Sequence, residues 1–186
     1  MKLLSGFLFL SCLSIIVAAE IPPAPDAVFR APFTLRLRVD EEHFYEQKIE
    51  RRIPYVQEDS VILFCGEHFG VKISKGKDQI AHLAYEPDEK AADLILAFRQ
   101  EKINDGWSTI LELENRTQDK LAIGATMVVL NRKGSIPTNL LPLHAGTKSY
   151  EMWPHPIVQL VLHDIRMDKE APKQPTKPTA KAAARQ

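Results

Sequence analysis

Hydrophobic and polar residues alternate one by one along several short runs of this chain. In the run at 33–39, FTLRLRV, every second residue is apolar, and the same period returns at 49–56, IERRIPYV. Such alternation places one face of a β-strand against a core and the other face in water. Pro54 lacks a backbone donor, which favours a sheet edge or a bulge for the second run. The first part of the chain is therefore predicted to form half-buried strands.

Other runs are apolar on both faces or alternate less strictly. SVILFCG at 60–66 and LAIGATMVVL at 121–130 are apolar at almost every position, which predicts central strands covered on both sides. Asp105 and Gly106 mark a hairpin loop between two further runs. The remaining β-like runs are GVKIS (70–74), IAHLAYE (80–86), ADLILAFRQ (92–100), WSTILELEN (107–115) and IVQLVLHDIRM (157–167).

These runs predict an all-β fold, an antiparallel immunoglobulin-like β-sandwich of about seven to nine strands. PDEKAAD at 87–93 indicates one helical turn, and the stretch at 131–153 is predicted to be a long irregular loop. The segment at 111–129, LELENRTQDKLAIGATMVV, resembles the strand, polar turn and strand unit of many bacterial immunoglobulin-like envelope domains. No functional residue follows from that resemblance.

The two ends of the chain differ in composition from its middle. Residues 1–19 combine one lysine, a continuous apolar run and small residues at the end, which predicts a secretory signal peptide. A lipid anchor at Cys12 is the alternative, although Phe9 stands where such an anchor usually has leucine. Residues 20–32 are predicted to be a Pro-rich linker, 33–167 the β-sandwich domain, and 168–186 a disordered tail rich in Lys, Pro and Ala.

Charge and cysteine content narrow the function classes. The chain has 24 basic and 24 acidic residues, so a general attraction to nucleic acid is not supported. After the signal peptide no run is long and apolar enough for a transmembrane segment. The leader is typical of bacterial export, so the predicted location is the periplasm. Cys65 is the one cysteine beyond the leader, so no intramolecular disulfide is expected.

No familiar catalytic motif is present, and no catalytic residue, cofactor or metal ligand is predicted. Cys65 and His68 lie close together in FCGEHFG, but the alternation places Cys65 among core residues, which favours a buried, inert thiol. The acidic run at 40–43, DEEH, is predicted to be a solvated turn. Asn115 fits the glycosylation pattern NRT, yet its position between two strands favours an Asn turn.

The segment at 149–167, SYEMWPHPIVQLVLHDIRM, supplies the candidate binding residues. Pro154 and Pro156 fix an extended entrance to the last strand. Trp153 is expected to cap one end of the core, with an exposed anchor as the alternative. Tyr150, Trp153 and His155 are therefore the residues predicted to contact a partner if this segment binds one.

The functional prediction is an exported, non-catalytic binding protein of the cell envelope. Its partner is expected to be another envelope or secreted protein, recognised through a strand edge or through the loop region at 131–156. One alternative is a copper- or zinc-binding periplasmic protein that uses scattered histidines and methionines, His144, His155, His163, Met127 and Met152. A second alternative is an inhibitor or immunity protein against a secreted hydrolase.

Overall fold

The computed structural model describes residues 27–169, which form antiparallel β-sheets and one short 3-10 turn at Lys77–Gln79. The predicted signal peptide, linker residues 20–26 and tail residues 170–186 lie outside the described residues. The strands are β1 (Phe33–Arg38), β2 (Phe44–Ile49), β3 (Val56–Gln57), β4 (Ser60–Leu63), β5 (Glu67–Lys75), β6 (Ala81–Glu86), β7 (Leu94–Ile103), β8 (Gly106–Asn115), β9 (Asp119–Val129), β10 (Ile136–Asn139), β11 (Lys148–Trp153) and β12 (Ile157–Lys169).

Two five-stranded sheets form the body of the molecule. Sheet I has the strand order β10-β9-β12-β4-β3, and sheet II has the order β11-β8-β7-β5-β6. All neighbouring strands are antiparallel, and β1 and β2 form a separate hairpin. The predicted all-β antiparallel sandwich is confirmed, and the immunoglobulin-like topology stays a prediction.

The main core lies between the two sheets. Leu94, Leu96 and Phe98 of β7 alternate inward and are fully buried, and Leu111 and Leu113 of β8 do the same. Sheet I closes the core with side chains from β4, β9 and β12. Burial of one such side chain contributes about 1.5–3 kcal/mol, so these rows hold the two sheets together.

A second, smaller core lies on the outer face of sheet I. Along β4 and the residue after it, Ile62 and Phe64 point away from the main core and pack against the β1–β2 hairpin, which contributes Leu35, Leu37 and Ile49. Sheet I therefore has apolar residues on both faces near β4. This explains why the run at 60–66 is apolar at nearly every position.

The structure differs from the predicted elements in two places. The stretch at 131–153 contains the strands β10 and β11 and is not one long loop. The second strand spans Phe44–Ile49, whereas the sequence predicted it at 49–56. Within 49–56, Pro54 pairs with Phe29 in an isolated bridge. Together with the two-residue β3, these strands bring the number in residues 27–169 to twelve.

The last residues of the predicted linker belong to the domain. The backbone amide of Arg30 donates to the carbonyl of Ile53 at 2.9 Å, and Tyr55 donates to Val28 at 3.0 Å. The Arg30 side chain is buried and forms a two-pronged ion pair with Glu67, with one contact at 2.8 Å. At the other end, β12 continues to Lys169, two residues into the predicted tail.

Candidate functional site

Strand β11 forms one edge of sheet II and carries two of the predicted site residues. Among the described residues it pairs only with β8, with Tyr150 opposite Glu112. Alternation turns Tyr150 and Met152 outward, and 60% and 56% of their surfaces are exposed. Trp153 points the other way and is 9% exposed. Tyr150 and Trp153 therefore lie on opposite faces of the strand.

Trp153 closes one end of the main core. Its indole packs within the core cluster, and its Nε1 donates to Oγ1 of Thr138 in β10 at 3.3 Å. This hydrogen bond joins the edge strands of the two sheets. This buried position is the one expected for a residue that caps the core. It does not fit the alternative of Trp153 as an exposed anchor.

His155 lies in the short connection between β11 and β12. Its carbonyl accepts a hydrogen bond from Oγ1 of Thr109 at 2.8 Å, and its Nε2 is buried without a hydrogen-bond partner among residues 27–169. Burial lowers the pKa of His155 below its ordinary 6.5, and the positive charge of Arg132 lowers it further. The hydrogen bond from Thr109 to the His155 carbonyl therefore helps to fix the entrance to β12.

Charged side chains surround Tyr150 on the outer face of sheet II. Lys148 lies 3.3 Å from Glu112 and 3.0 Å from Glu114, and the Tyr150 hydroxyl donates to Glu112 at 3.4 Å. Arg116 at 2.6 Å, and after it Lys148, lower the pKa of Glu114. Exposed ion pairs of this kind add little stability. They give the exposed apolar side chains of β11 a polar rim.

The rim continues into a shallow basin of about 450 Å³ across sheet II. Ile95 and Ala97 line its centre, and His68 lies 3.5 Å from Glu89 at its far side. Every acidic residue that lines the basin has a basic neighbour at 3.5 Å or less. The basin therefore carries no strong excess of either charge.

The loop between β10 and β11 lies next to the same strand. Its Leu141 is 72% exposed, and the Leu141 amide donates to the Glu151 carboxylate at 3.1 Å. The buried Asn115 holds the later part of this loop, because its Nδ2 donates to the His144 carbonyl at 3.1 Å. Leu141, Tyr150 and Met152 are from here on called the edge surface.

Two of the three residues of the edge surface, Leu141 and Met152, are not among the three predicted contact residues, although both lie in the predicted binding region at 131–156. The signal was present in KSYEMW at 148–153, where Tyr150 and Met152 occupy outward positions of an alternating run. That reversal is the feature that marks an exposed edge.

The side chains around Cys65 are not arranged for nucleophilic catalysis by its thiol. Burial raises the pKa of the Cys65 thiol to about 11, so the thiol is protonated at neutral pH. His68 instead lies beside Glu89 on the outer face of sheet II. The interpretation of Cys65 as an inert thiol agrees with this environment.

The acidic run at 40–43 forms the predicted turn. Oδ1 of Asp40 accepts hydrogen bonds from the backbone amides of Glu42 and His43 at 2.9 and 2.8 Å. These two backbone bonds, and after them the His43 side chain, lower the pKa of Asp40. The carboxylate is thus used to close the turn between β1 and β2.

A hydroxyl, an imidazole and a carboxylate are hydrogen-bonded in series on the outer face of sheet I. Oγ1 of Thr126 lies 2.9 Å from Nε2 of His163, and Nδ1 of His163 lies 2.7 Å from Asp164. Acyl transfer by such a series also needs oxyanion donors beside a substrate cleft. None of the three residues lines the basin of sheet II.

The histidines and methionines of the copper hypothesis do not form one site. Met127 is buried in the main core, whereas Met152 is exposed on β11 and His163 is bonded to Thr126. In the described part of the chain no group of three or more His, Cys, Asp or Glu side chains is placed to hold a metal ion. Likewise, no helix within 27–169 has the length and apolar character needed to cross a membrane.

Comparison of the chain with known proteins finds no matching family model, no matching curated protein and no matching solved structure.

Proposed function

We propose that this chain is an exported, non-catalytic binding protein of the cell envelope. Its partner is another envelope or secreted protein, which adds an extended segment to the free edge of β11 and contacts the edge surface. The observation that carries the proposal is the exposure of Tyr150 and Met152 on an edge strand that, within residues 27–169, pairs with β8 alone. The leader-like residues 1–19 support the exported location.

The backbone of β11 supports recognition by strand addition. An edge strand presents one row of N–H and C=O groups that no neighbouring strand satisfies, and a second chain can pair with that row. Natural proteins often protect such edges with outward charges or with proline. The outward positions in the middle of β11 instead carry Tyr150 and Met152.

The side chains of the edge surface have the chemistry of a protein contact. Tyrosine and methionine are enriched at the centre of protein interfaces, and the charged pairs around Lys148 would form the polar rim. Tyr150 combines a large apolar ring with a hydroxyl, a combination that is frequent among residues that dominate binding energy. Trp153 and His155 support β11 from behind and do not contact the partner.

The experiment starts with capture of a partner from an envelope extract by the purified protein, followed by measurement of Kd with the captured partner. The test variant is Tyr150→Ser with Met152→Lys, because both residues are exposed and the fold should be retained. Loss of a dominant contact costs about 2 kcal/mol or more, so Kd should rise roughly 30-fold. Val39→Ala, which changes an exposed apolar residue on the β1–β2 side, is the matched control.

An equal Kd for the test variant and the control would contradict the proposal. The exported location has its own readout, which is the intact mass of the protein recovered from its native cell. We expect loss of residues 1–19, and a mass that retains them or carries a lipid on Cys12 would contradict a free periplasmic protein.

A further inference from the structure

The ladder between β8 and β11 determines which backbone groups face the free edge of β11. Its register, continued by one residue, places Thr147 opposite Asn115, and the Asn115 amide donates to the Thr147 carbonyl at 2.9 Å. In an antiparallel ladder every second opposed pair is hydrogen-bonded, and the residues between turn their N–H and C=O groups to the other side. Ser149, Glu151 and Trp153 therefore bond to β8, and the residues between them do not.

Lys148, Tyr150 and Met152 thus direct their backbone N–H and C=O groups to the free edge. Their side chains are also the exposed ones of the strand. An extended segment that pairs with this edge therefore bonds to these three residues. Its own residues opposite Tyr150 and Met152 place their side chains beside them on the outer face of sheet II.

Glu151 lies between the two exposed side chains and points to the other face of β11. It is half-buried, and one of its carboxylate oxygens accepts from the Leu141 amide at 3.1 Å. Within residues 27–169 no basic side chain forms an ion pair with Glu151, because Lys148 lies on the opposite face and is paired with Glu112 and Glu114. The Glu151 carboxylate is therefore available to a basic residue of an added segment.

We propose that the partner segment runs antiparallel to β11 and has the order apolar, basic, apolar, with its basic residue opposite Glu151. The two apolar residues then lie opposite Tyr150 and Met152. Apolar pairs and pairs of opposite charge stabilise two strands when they lie directly across from each other, and like charges destabilise them. The basic residue is Lys or Arg, whose apolar stem packs along neighbouring surface while its charged end reaches the carboxylate.

The antiparallel direction follows from the sheets themselves. Every neighbouring pair of strands in sheet II is antiparallel, and antiparallel pairing is slightly more stable per residue than parallel pairing. This inference rests on the proposed addition of a segment at β11, and it adds the chemistry of the segment that binds there.

Hydrogen exchange of the free protein, measured by NMR, tests the predicted backbone pattern. The amides of Tyr150 and Met152 face the free edge and should exchange rapidly. Those of Ser149 and Glu151 are bonded to β8 and should exchange at least about tenfold more slowly. The reverse order would overturn the proposal, since Glu151 would then no longer lie between the residues that bond to the segment.

The binding test is an NMR titration of the full chain with capped seven-residue peptides at low ionic strength. The first peptide has a central lysine, a valine on each side of it and threonine at the outer positions, and the second has glutamate in place of the lysine. We expect the lysine peptide to shift the amide signals of Tyr150 and Met152 and to bind about tenfold more tightly than the glutamate peptide. Equal Kd values, or no binding of the lysine peptide, would overturn the proposal.

Methylation of single backbone nitrogens in the lysine peptide tests the direction of pairing. In the antiparallel arrangement the two valines donate to β11, whereas the central lysine turns its N–H away. A methyl group on either valine nitrogen should therefore raise Kd about tenfold or more, and one on the lysine nitrogen should leave Kd nearly unchanged. The opposite result would show parallel pairing and contradict the proposal.

A charge exchange identifies Glu151 as the residue that reads the peptide charge. Glu151→Gln keeps an acceptor for the Leu141 amide and should remove most of the preference for the lysine peptide. Glu151→Lys should reverse the preference, so that the glutamate peptide binds more tightly. Glu46→Gln removes an exposed carboxylate from the β1–β2 hairpin and is the matched control, whose preference should not change. A preference that survives in Glu151→Lys would refute the assignment.

The captured partner separates this inference from the proposed function. Tyr150→Ser with Met152→Lys tests binding at the edge surface, and Glu151→Gln tests the basic residue. A Kd for the partner that rises in the first variant and is unchanged in the second would contradict the apolar, basic, apolar order alone. A Kd that is unchanged in the first variant would contradict the proposed function.

Discussion

Asn115 is a fully buried polar residue whose side chain connects two loops. Its Nδ2 donates to the carbonyls of Asp119 and His144 at 2.8 and 3.1 Å, and its Oδ1 accepts from the Thr117 amide at 2.9 Å. This is the predicted Asn turn, extended to the loop that precedes β11. A glycan on the same nitrogen would disturb these bonds.

Asn115→Ala should lower the free energy of unfolding by about 2–3 kcal/mol, because several buried backbone groups lose their partner. Urea denaturation measures this loss. Thr117→Ala is the matched control, since it keeps the hydrogen bond from the backbone amide of residue 117 to Oδ1 of Asn115 and should cost clearly less. Equal losses for the two variants would contradict the bridging role of Asn115.

Cys65 should react slowly with thiol reagents in the folded protein. Its pKa of about 11, against an ordinary 9.0, lowers the thiolate fraction at pH 8 about 100-fold. Alkylation by iodoacetamide, followed by mass spectrometry, should be slower by at least that factor in buffer than in urea. A Cys12→Ser variant provides a single thiol, and equal rates in the two solvents would refute the buried environment.

His155 should make stability depend on pH. Because the folded pKa lies below the ordinary 6.5, the unfolded chain binds more protons near that pH. The stability linked to His155 is complete above pH 6.5 and is lost as the pH falls below it. When the pH is lowered from 7.5 to 5.5, the denaturation midpoint should therefore fall less for His155→Gln than for the unchanged protein. Identical slopes would contradict a depressed pKa.

At the scale of elements, the Arg30 side chain adds to the backbone bonds that attach the segment at 27–32 to the sandwich. The Arg30 guanidinium pairs with Glu67, donates to the Pro54 carbonyl at 2.6 Å and lies 4.0 Å from the centre of the Tyr55 ring. Glu67 also accepts from the Phe64 amide at 2.8 Å. The pair thus connects the N-terminal segment to β5 and to the end of β4.

Glu67→Gln should lower the free energy of unfolding by about 3–5 kcal/mol, because a buried arginine loses its counter-charge. The double variant Arg30→Met with Glu67→Gln should recover part of that loss, since it removes both charges. Thermal or urea unfolding of the single and double variants measures the coupling. Strictly additive losses would show that the pair does not act as a unit.

The strands that alternate or are apolar throughout could be predicted from the sequence, because their burial pattern is local. The alternation along β7 and β8 and the two-sided run at β4 are found in the structure. Strand β11 could not be predicted in this way, since Tyr150 and Met152 occupy its outward positions, and β10 has only the four residues Ile136–Asn139. Docking of Arg30 depends on a partner 37 positions away, which no local pattern reveals.

At the scale of the whole molecule, the sandwich separates two surfaces of different chemistry. The edge surface combines a free backbone edge with exposed Tyr150 and Met152, which suits a protein segment. The outer face of sheet I instead carries an apolar patch around Phe64 that the β1–β2 hairpin covers. The candidate contact Tyr150 could be proposed from the sequence, whereas the packing of the hairpin on sheet I joins residues that are distant in the chain.

Photo-cross-linking in the native cell tests the central claim most directly. A benzophenone side chain is placed at position 150 of β11 in one variant and at position 39, on the opposite hairpin, in another. We predict that position 150 cross-links to one envelope or secreted protein and that position 39 does not. Cross-linking at position 39 with none at position 150 would contradict binding through the edge of β11.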